Sequence, residues 1–461
     1  ADIPKRGPHF DLAIAMAVIG ASEAQFPTEL LADWAMIGEL TLDGQLRSVL
    51  GALPMVMAVA ARGISKVSVP EPQAAEAALV EGIKVVGVRS LRQAIAAVTE
   101  TEWPEAPEVA PDSGEPLIRW RGEERLQDTD LADLLGMEDA KFALEVTASG
   151  GHHLMFTGPK GAGKTSLAER LPTILPDLDR DEQLELAAVH SLAGGLQPGA
   201  PLISRPPFRS PHHSASRTAI LGGGTGRVRP GEVSKAHLGV LFLDEFPLLP
   251  TDIIEALRQP LESGEISLSR GEDEATFPAR GIVVLAANPC PCGEYHPANR
   301  DNPCICTEVR RRDYRRKLSG PIADRIDIAR FVEPQLGGGL ILDPTRRPDS
   351  SQLVRERVQA ARLRQQTRYA GTDWRINAHV PSAALRERWP MEMAAMQALD
   401  VEVHLGRITR RGATRAHRLA WTLADMRGLP QPGAAELAIA LALRSAKPLD
   451  QAVVEHFWSV A

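Results

Sequence analysis

The feature that most constrains the fold is a glycine-rich loop at residues 158–165, which read G-P-K-G-A-G-K-T. The apolar run at 153–157 predicts a strand before the loop, and the residues after Thr165 predict a helix. In such a unit the glycines turn backbone N–H groups toward phosphate oxygens, and the positive N-terminus of the helix favours their charge. The loop therefore predicts a nucleotide site in a parallel α/β fold.

The whole loop is assigned to nucleotide binding. Lys164 is expected to contact the β- and γ-phosphates of ATP, and Thr165 to offer its hydroxyl to Mg²⁺. The residues assigned to cofactor binding are Gly158, Pro159, Lys160, Gly161, Ala162, Gly163, Lys164 and Thr165, with Asp244 downstream.

Two further apolar runs predict strands of the same sheet. Val240–Leu243 ends in Asp244 and Glu245, and Ile282–Ala287 ends in Asn288. An Asp at this edge can hold Mg²⁺, and a Glu can orient or deprotonate the attacking water. Asn288 is expected to polarise the water or the γ-phosphate. Without the other two strands, it would be better interpreted as a turn residue before Pro289.

Composition places the chain among globular proteins of two or three domains, because it has 461 residues, 44% of them hydrophobic. No apolar run is long enough to cross a bilayer, so we expect a cytoplasmic protein without membrane contact. A net charge of −7 argues against wholesale coating of nucleic acid but leaves room for a local basic channel. Since the chain begins at Ala1 without Met, we expect residues to precede it.

The four cysteines are clustered between residues 290 and 306. Cys290 and Cys292 form one C-x-C pair, and Cys304 and Cys306 form a second. Four thiolates match tetrahedral Zn²⁺ and leave no open position, which favours a structural metal over a catalytic one. The alternative is four reduced cysteines without metal.

The composition also divides the chain. Residues 1–100 alternate helical patterns with strand patterns near 37–42, 66–69 and 84–88, with a turn at Asp43–Gly44, and predict a small α+β domain. The following stretch is rich in proline and acid and predicts a linker over 101–127. Residues 128–335 repeat strand, loop and helix and predict the parallel-sheet core, with the cysteines as an insertion at 290–306. Residues 336–461 predict a helical lid.

Several segments together resemble the ComM/YifB family of magnesium-chelatase-like AAA+ ATPases, relatives of the MCM helicases. The resemblance covers essentially the whole chain. Beside the phosphate loop it rests on R-S-P-H-H-S-A-S (209–216), R-P-G-E-V-S-K-A-H-L-G-V-L-F-L-D-E (229–245), L-R-Q-P-L-E-S-G-E-I-S-L-S-R (257–270), A-N-P-C-P-C-G (287–293) and L-S-G-P-I-A-D-R-I-D (318–327).

The resemblance implies further site residues. Asn288 matches sensor 1, and Arg325 matches an arginine finger that reaches the γ-phosphate of a neighbouring subunit. Without the resemblance, Arg325 would be read as a partner of Asp324 or Asp327. Arg411 is the expected sensor 2, with Arg415 as the competitor. The implied assembly is a homo-hexamer.

Basic segments are candidates for contact with DNA. By resemblance, the residues between the phosphate-loop helix and Val240 include a pore-facing insert, and residues 265–280 form a hairpin led by Arg270. Packing between subunits is the alternative for both. Residues 310–317 carry six basic side chains, which either contact phosphate or pack within a ring. His212 and His213 are interpreted as loop residues.

The N-terminal residues 5–88 resemble the Lon-protease-like domain of the family. His9 stands where Lon proteases carry the nucleophilic Ser, and no Lys occurs from Arg6 to Ser65. Since both members of the Ser-Lys dyad are missing, we expect no peptidase but a structural or partner-binding module. The implied function is a DNA helicase or branch-migration motor in recombination or natural transformation; the alternative is a chelatase-like or chaperone-like ATPase that remodels a protein.

Overall fold

The computed structural model describes residues 7–23, 26–109, 129–194, 201–224, 228–270, 273–295, 303–320, 322–333 and 348–459. The chain forms two compact units. The first unit combines Ala1–Trp120 with Leu178–Ser204, and the second combines Arg121–Asp177 with Arg205–Ala461. Within the described ranges, no helix is both long enough and apolar enough to cross a bilayer.

The first unit contains a small parallel sheet. Its strands run in the order β1–β4–β5, and β2 and β3 form a separate antiparallel hairpin. The bounds are β1 Trp34–Met36, β2 Glu39–Leu40, β3 Leu46–Arg47, β4 Lys66–Pro70 and β5 Lys84–Val88. The predicted strands near 66–69 and 84–88 are confirmed. The run at 37–42 contributes only the short β2, and the predicted turn at Asp43–Gly44 follows it, with a φ of 78° at Gly44.

Four helices of the N-terminal segment cover this sheet: α1 Asp11–Ser22, α2 Ala52–Ala60, α3 Ala74–Ala77 and α4 Leu91–Thr99. Leu53 and Val56 on α2 are fully buried and cluster with Val67 and Val69 on β4. Apolar side chains on both faces are typical of a parallel sheet, which helices must shield from water. The linker predicted at 101–127 lies largely outside the described residues, which resume at 129.

The second unit is built on a five-stranded parallel sheet in the order β14–β6–β13–β10–β7. These strands are β6 Leu154–Thr157, β7 Phe208–Arg209, β10 Val240–Leu243, β13 Ile282–Ala287 and β14 Ile328–Phe331. Every residue of β10 and β13 is buried, as expected for central strands. Two antiparallel hairpins stand apart from the sheet: β8 Gly222–Gly223 with β9 Arg229–Pro230, and β11 Glu265–Arg270 with β12 Asp273–Pro278.

Helices alternate with these strands along the chain. They are α5 Glu138–Gly150, α6 Lys164–Ile174, α7 Arg180–Leu192, α8 Arg217–Leu221, α9 Glu232–Lys235, α10 Thr251–Ala256, α11 Arg258–Ser263 and α12 Glu308–Ser319. Helix α7 departs from the pattern, since it belongs to the first unit although it follows the phosphate-loop helix in sequence. Its N-terminus carries a capping box in which Asp179 and Glu182 each bind the other's backbone N–H.

The lid predicted at 336–461 consists of helices and connecting loops over its described part, 348–459, which holds no strand. Its helices are α13 Ser351–Arg368, α14 Ser382–Arg388, α15 Met393–His404, α16 Arg410–Arg427, α17 Ala434–Arg444 and α18 Gln451–Ser459. Val354, Leu419 and Leu443 of the lid share one apolar core with Leu154 and Val284 of the sheet. The α/β fold class with a helical lid is therefore confirmed.

Candidate active site

The phosphate loop joins β6 to α6, as the sequence predicts. Gly161 and Gly163 have φ values of 76° and 87°, a region that glycine enters without steric cost. Gly158 is required for a different reason, because an added Cβ would lie 2.2 Å from the carbonyl oxygen of Val332, which directly follows the neighbouring strand β14. The loop can thus close tightly against the sheet and direct its amides outward.

Lys164 begins α6 and is buried. Its ammonium donates to the carbonyl oxygens of Gly158 at 2.7 Å and Pro159 at 2.8 Å, and to Oδ1 of Asn288 at 3.2 Å. Desolvation lowers the pKa of Lys164, although the nearby carboxylates of Asp244 and Glu245 act in the opposite direction. Three oxygen acceptors therefore hold the ammonium group of Lys164 beside the phosphate loop.

Asp244 and Glu245 follow β10 directly. The hydroxyl of Thr165 lies 3.3 Å from Oδ2 of Asp244. Two oxygens that bind Mg²⁺ at about 2.1 Å in adjacent octahedral positions are about 3 Å apart, so this pair fits the ion. The backbone of Glu245 has a φ of 48°, and a non-glycine residue held there costs about 1–2 kcal/mol.

Asn288 connects the cation and the carboxylate. Its Oδ1 accepts from Lys164, and its Nδ2 donates to Oε1 of Glu245 at 3.3 Å. Only 7% of Asn288 is exposed. Since β6, β10 and β13 are parallel neighbours, their carboxyl ends meet at one edge of the sheet, and this places the three side chains in a single network.

Sequence reasoning did not assign His213 to this site. The loop that carries it follows β7, which pairs directly with β10. Nδ1 of His213 lies 3.8 Å from Oε2 of Glu245. The strand before it has two residues, too few to show a periodic pattern, so its place in the sheet could not be read from the sequence.

Arg325 and Arg411 lie close together, beside α11 and the segment before β14. Arg325 is buried, and its Nη2 is 2.7 Å from Oε1 of Glu262. Nη1 of Arg411 is 3.6 Å from the same oxygen. A cavity of about 490 Å³ opens here, lined among others by Arg217, Arg258, Glu262 and Arg325. Within the chain, Arg325 thus pairs with Glu262.

Arg415, the competing sensor 2, has a different environment. Its Nη1 is 2.5 Å from Oδ1 of the buried Asp327. Burial alone would raise the pKa of Asp327, but Arg415 and His152 outweigh it and hold that pKa well below its usual range. Arg415 therefore belongs to a buried ion pair, whereas Arg411 is mostly exposed beside Arg325.

The cysteines converge as predicted. Sγ of Cys290 lies 3.2 Å from that of Cys292 and 3.6 Å from that of Cys304, and all four sulfurs lie within 4.8 Å of one another. Thiolates that bind Zn²⁺ tetrahedrally at about 2.3 Å are about 3.8 Å apart. The donor set and its geometry thus fit one zinc ion.

The cysteine cluster contacts the rest of the site. An added Cβ on Gly293, which follows Cys292, would lie 3.0 Å from Cγ of Lys160 in the phosphate loop. Tyr295 is covered by two guanidinium groups of α12, those of Arg311 and Arg315, each 4.8 Å from its ring centre. The cysteine turn therefore packs between the phosphate loop and the basic helix.

Comparison with known proteins identifies the family. The model of the magnesium chelatase ChlI subunit matches residues 130–337, that of its C-terminal part matches 348–444, and a further ChlI model matches 1–73. A relative from Mycobacterium tuberculosis is 43% identical over 96% of this chain and 85% of its own length. The chain is a member of the ChlI-like family of magnesium-chelatase-type AAA+ ATPases.

Two further relatives, YifB and ComM, are similar to this chain over most of its length. YifB of Escherichia coli is 39% identical over 92% of this chain and 80% of its own length. Competence protein ComM of Haemophilus influenzae is 37% identical over 96% of this chain and 84% of its own length. The resemblance to the ComM/YifB family is confirmed. The matched core, 130–337, contains the phosphate loop, the Asp244–Glu245 pair, Asn288, the cysteines and Arg325.

The inserted hairpins of this ChlI-like core pack on each other. An added Cβ on Gly222 of β8 would lie 2.7 Å from Cδ1 of Leu268 on β11. Ser267 and Thr276 share a hydrogen bond of 2.9 Å across β11 and β12. The predicted hairpin is confirmed, whereas the side chain of Arg270 and the turn at 271–272 lie outside the described residues.

The basic helix α12 is partly engaged inside the chain. Besides the two arginines on Tyr295, Lys317 donates to the carbonyl oxygen of Pro247 at 2.8 Å, and Arg316 lies 3.7 Å from Asp313. Four of the six basic side chains thus have partners inside the chain, and these contacts test neither phosphate contact nor packing within a ring. Arg310 and Arg312 remain on exposed positions of the helix.

Proposed function

We propose that this chain hydrolyses ATP at the site of Lys164, Glu245 and Asn288, and that the energy drives a ring-shaped motor acting on DNA. The observation that carries the first part is the continuous network from Lys164 through Asn288 to Glu245 at the carboxyl edge of the sheet. It combines a cation for phosphate, an amide and a carboxylate for the attacking water, as phosphoryl transfer requires.

The proposed roles follow from the contacts. Lys164 exchanges the carbonyl oxygens of Gly158 and Pro159 for oxygens of the β- and γ-phosphates, which carry more negative charge. Thr165 and Asp244 hold Mg²⁺, which neutralises charge on the phosphates. Glu245 orients the water, and Asn288 fixes the carboxylate through its amide.

The cysteines are proposed to bind a structural zinc ion, which supplies rigidity and no chemistry, since four thiolates leave no open position. Because the cysteine turn contacts Lys160 and directly follows Asn288, the ion would keep both sides of the nucleotide site in place. His9 stands where the resemblance places the Ser of a Lon protease, and no Lys occurs near Leu53 or Pro54, so we propose no peptidase activity for the first unit.

Arg325 is proposed as a finger that completes the active site of a second copy in a hexamer. For this it must leave Glu262, so that the ion pair inside one chain is exchanged for contact with the neighbour's γ-phosphate. Trans arginines of this kind contribute roughly 10³–10⁵ in rate. Arg411, at 3.6 Å from the same carboxylate, is proposed to act from the same surface.

Mixing of two inactive variants tests the shared site. Arg325→Ala should bind ATP and be inactive, and Lys164→Ala should lack nucleotide binding and keep its finger. Mixed subunits should recover partial ATPase activity, because some interfaces pair an intact loop with an intact finger. Mass measurement with a non-hydrolysable ATP analogue must first establish that rings form. Efficient hydrolysis by a strict monomer would overturn both the finger and the ring.

The DNA-acting role is supported by the relative named competence protein and by the two hairpins inserted into the core. It is tested by ATPase turnover with no DNA and with single-stranded, duplex and branched DNA, using Lys164→Ala as the blank. We expect stimulation by branched or single-stranded DNA, together with strand displacement from a labelled branched substrate. No response to any DNA would overturn this role.

The second candidate is an ATPase that remodels a protein. It is favoured by the matches to a magnesium chelatase subunit and by the first unit, which could serve as a docking module. Stimulation of turnover by a protein partner, with none by DNA, would select this function instead.

A further inference from the structure

The carboxylate of Glu245 has a neighbour that the ATPase roles above do not use. Nδ1 of His213 lies 3.8 Å from Oε2 of Glu245, and the two side chains are 34% and 35% exposed. The opposite oxygen, Oε1, accepts from Nδ2 of Asn288 at 3.3 Å. The carboxylate is thus approached by a nitrogen on each of its two oxygens.

The chain delivers His213 to this place through the sheet. β7 pairs with β10 in parallel, with Phe208 beside Val240 and Arg209 beside Leu241. Residues 210–216, which follow β7, therefore reach the same edge as Asp244 and Glu245, which follow β10. The strand register therefore brings the loop that carries His213 to the edge where Glu245 lies.

The ring of His213 is itself supported. It lies against the ring of His212, with centroids 4.1 Å apart. His212 is fixed in turn, since its Nδ1 is 2.7 Å from the hydroxyl of Ser214. The segment ends in Ser216, whose hydroxyl accepts from the N–H of Ala219 at 3.2 Å and caps α8.

Glu245 needs such support because of its backbone. A φ of 48° is unfavourable for a residue with a side chain, so surrounding contacts must hold it. A carboxylate bound at one oxygen only can still rotate about its χ3 torsion, which is broad for Glu. Contact at the second oxygen removes that rotation and fixes the direction in which a water is bound.

We propose that His213 is a positioning residue for Glu245, donating from Nδ1 to Oε2 so that Asn288 and His213 hold the carboxylate from both sides. The 3.8 Å separation must shorten by about 1 Å to become a hydrogen bond, so the proposal requires a rotation of one of the two side chains. This proposal rests on the proposed role of Glu245 in orienting the attacking water. His213 touches neither the phosphates nor the water and acts through Glu245.

The test compares four variants, with Glu245→Gln alone as a reference, for turnover, KM and nucleotide binding. His213→Ala should lower kcat by roughly tenfold while KM and nucleotide affinity change by less than about twofold, because the lost contact orients water rather than ATP. His213→Asn, whose Nδ2 can replace the Nδ1 donor, should recover most of the loss. Ser210→Ala, at an exposed position of the same loop, is the matched control, and its kcat should stay within about threefold of the parent.

The fourth variant combines His213→Ala with Glu245→Gln. If His213 acts through the carboxylate, the double variant should be no slower than Glu245→Gln alone. An unchanged kcat in His213→Ala would overturn the proposal. So would equal losses in His213→Ala and His213→Asn, or a further loss in the double variant relative to Glu245→Gln. Normal turnover by Glu245→Gln alone would instead overturn the water-orienting role of Glu245.

Discussion

Lys164 and Glu245 belong to one hydrogen-bonded network and serve different parts of the proposed reaction. Lys164→Ala should weaken ATP binding by at least about tenfold, because the phosphates lose a buried counter-charge. Glu245→Gln should bind ATP normally and lower kcat by roughly 100-fold, because only water activation is removed. Nucleotide affinity and turnover, measured separately, check both. Equal defects in affinity for the two variants would contradict this division.

His417 provides a prediction about pH. It is buried, and burial lowers its pKa to about 4, although the carbonyl oxygen of Trp389, 3.0 Å from Nε2, acts in the opposite direction. Because the folded pKa is below the unfolded value of about 6.5, the unfolded chain takes up the proton first. The contribution of neutral His417 to stability is therefore full above pH 6.5 and lost as pH falls toward 4.

His417→Gln keeps a donor for Trp389 and cannot titrate, so it isolates this effect from other groups. Acidification from pH 7 to about 4.5 should reduce the free energy of unfolding of the parent more than that of the variant, by roughly 2–3 kcal/mol. Denaturant unfolding of both proteins at several pH values measures the difference. A constant difference between them across this range would show that His417 does not titrate with a lowered pKa.

At the scale of elements, the cysteine turn is expected to depend on metal. Purified protein should contain about one zinc per chain, and Cys290→Ser should lose it. Loss of zinc should loosen the contacts of the turn with Lys160 and with α12, and so lower turnover through Asn288. Elemental analysis and ATPase assays check this, with zinc restored after chelation as the control. Protein prepared without chelators that contains no metal would contradict it.

Elements with a strong local pattern could be predicted from the sequence. The fully apolar runs of β10 and β13 predict central strands, and the glycines predict a phosphate loop. These elements together predict that Lys164, Asp244, Glu245 and Asn288 meet at one edge of the sheet. Elements of two or three residues could not be predicted, because they carry no period. The two-residue strand β7 is an example. Because it could not be predicted, the position of His213 beside Glu245 could not be predicted either.

Long-range pairings were equally hidden. Without the resemblance, the sequence favours Asp324 or Asp327 as the partner of Arg325, whereas the structure pairs it with Glu262, 63 residues earlier in the chain (325 − 262). Arg415 takes Asp327 instead. The spacing of charges in the sequence cannot identify the acid that pairs with each arginine. The pairing depends on how α11 and the lid pack beside the start of β14.

For the whole molecule, the first unit depends on a helix encoded inside the ATPase core. Ala187 of α7 is buried in a cluster with Leu53 and Val56 of α2, and an added Cβ on Gly51 would lie 2.6 Å from Leu192. Ser191 also hydrogen-bonds the buried carboxyl of Glu76. A boundary near residue 127, as predicted from composition, therefore does not separate the two units completely.

Removal of residues 1–109 should expose the apolar face of α7 and cause aggregation or a lower Tm. The matched control removes the same residues and also replaces 178–204 by a short Gly/Ser linker, which should restore solubility and ATP binding. Light scattering and thermal unfolding compare the two. If the simple deletion is as soluble and as stable as the control, the dependence of α7 on the first unit is contradicted.

The same connectivity sets an order for events on the ribosome. The first hundred residues emerge early, yet the helix that completes their core is about eighty residues further along the chain and follows the entire phosphate loop. During synthesis at about 5–20 residues per second, α2 therefore waits several seconds with its apolar side uncovered. The nascent N-terminal segment is thus a natural client for chaperones until residue 204 has left the exit tunnel.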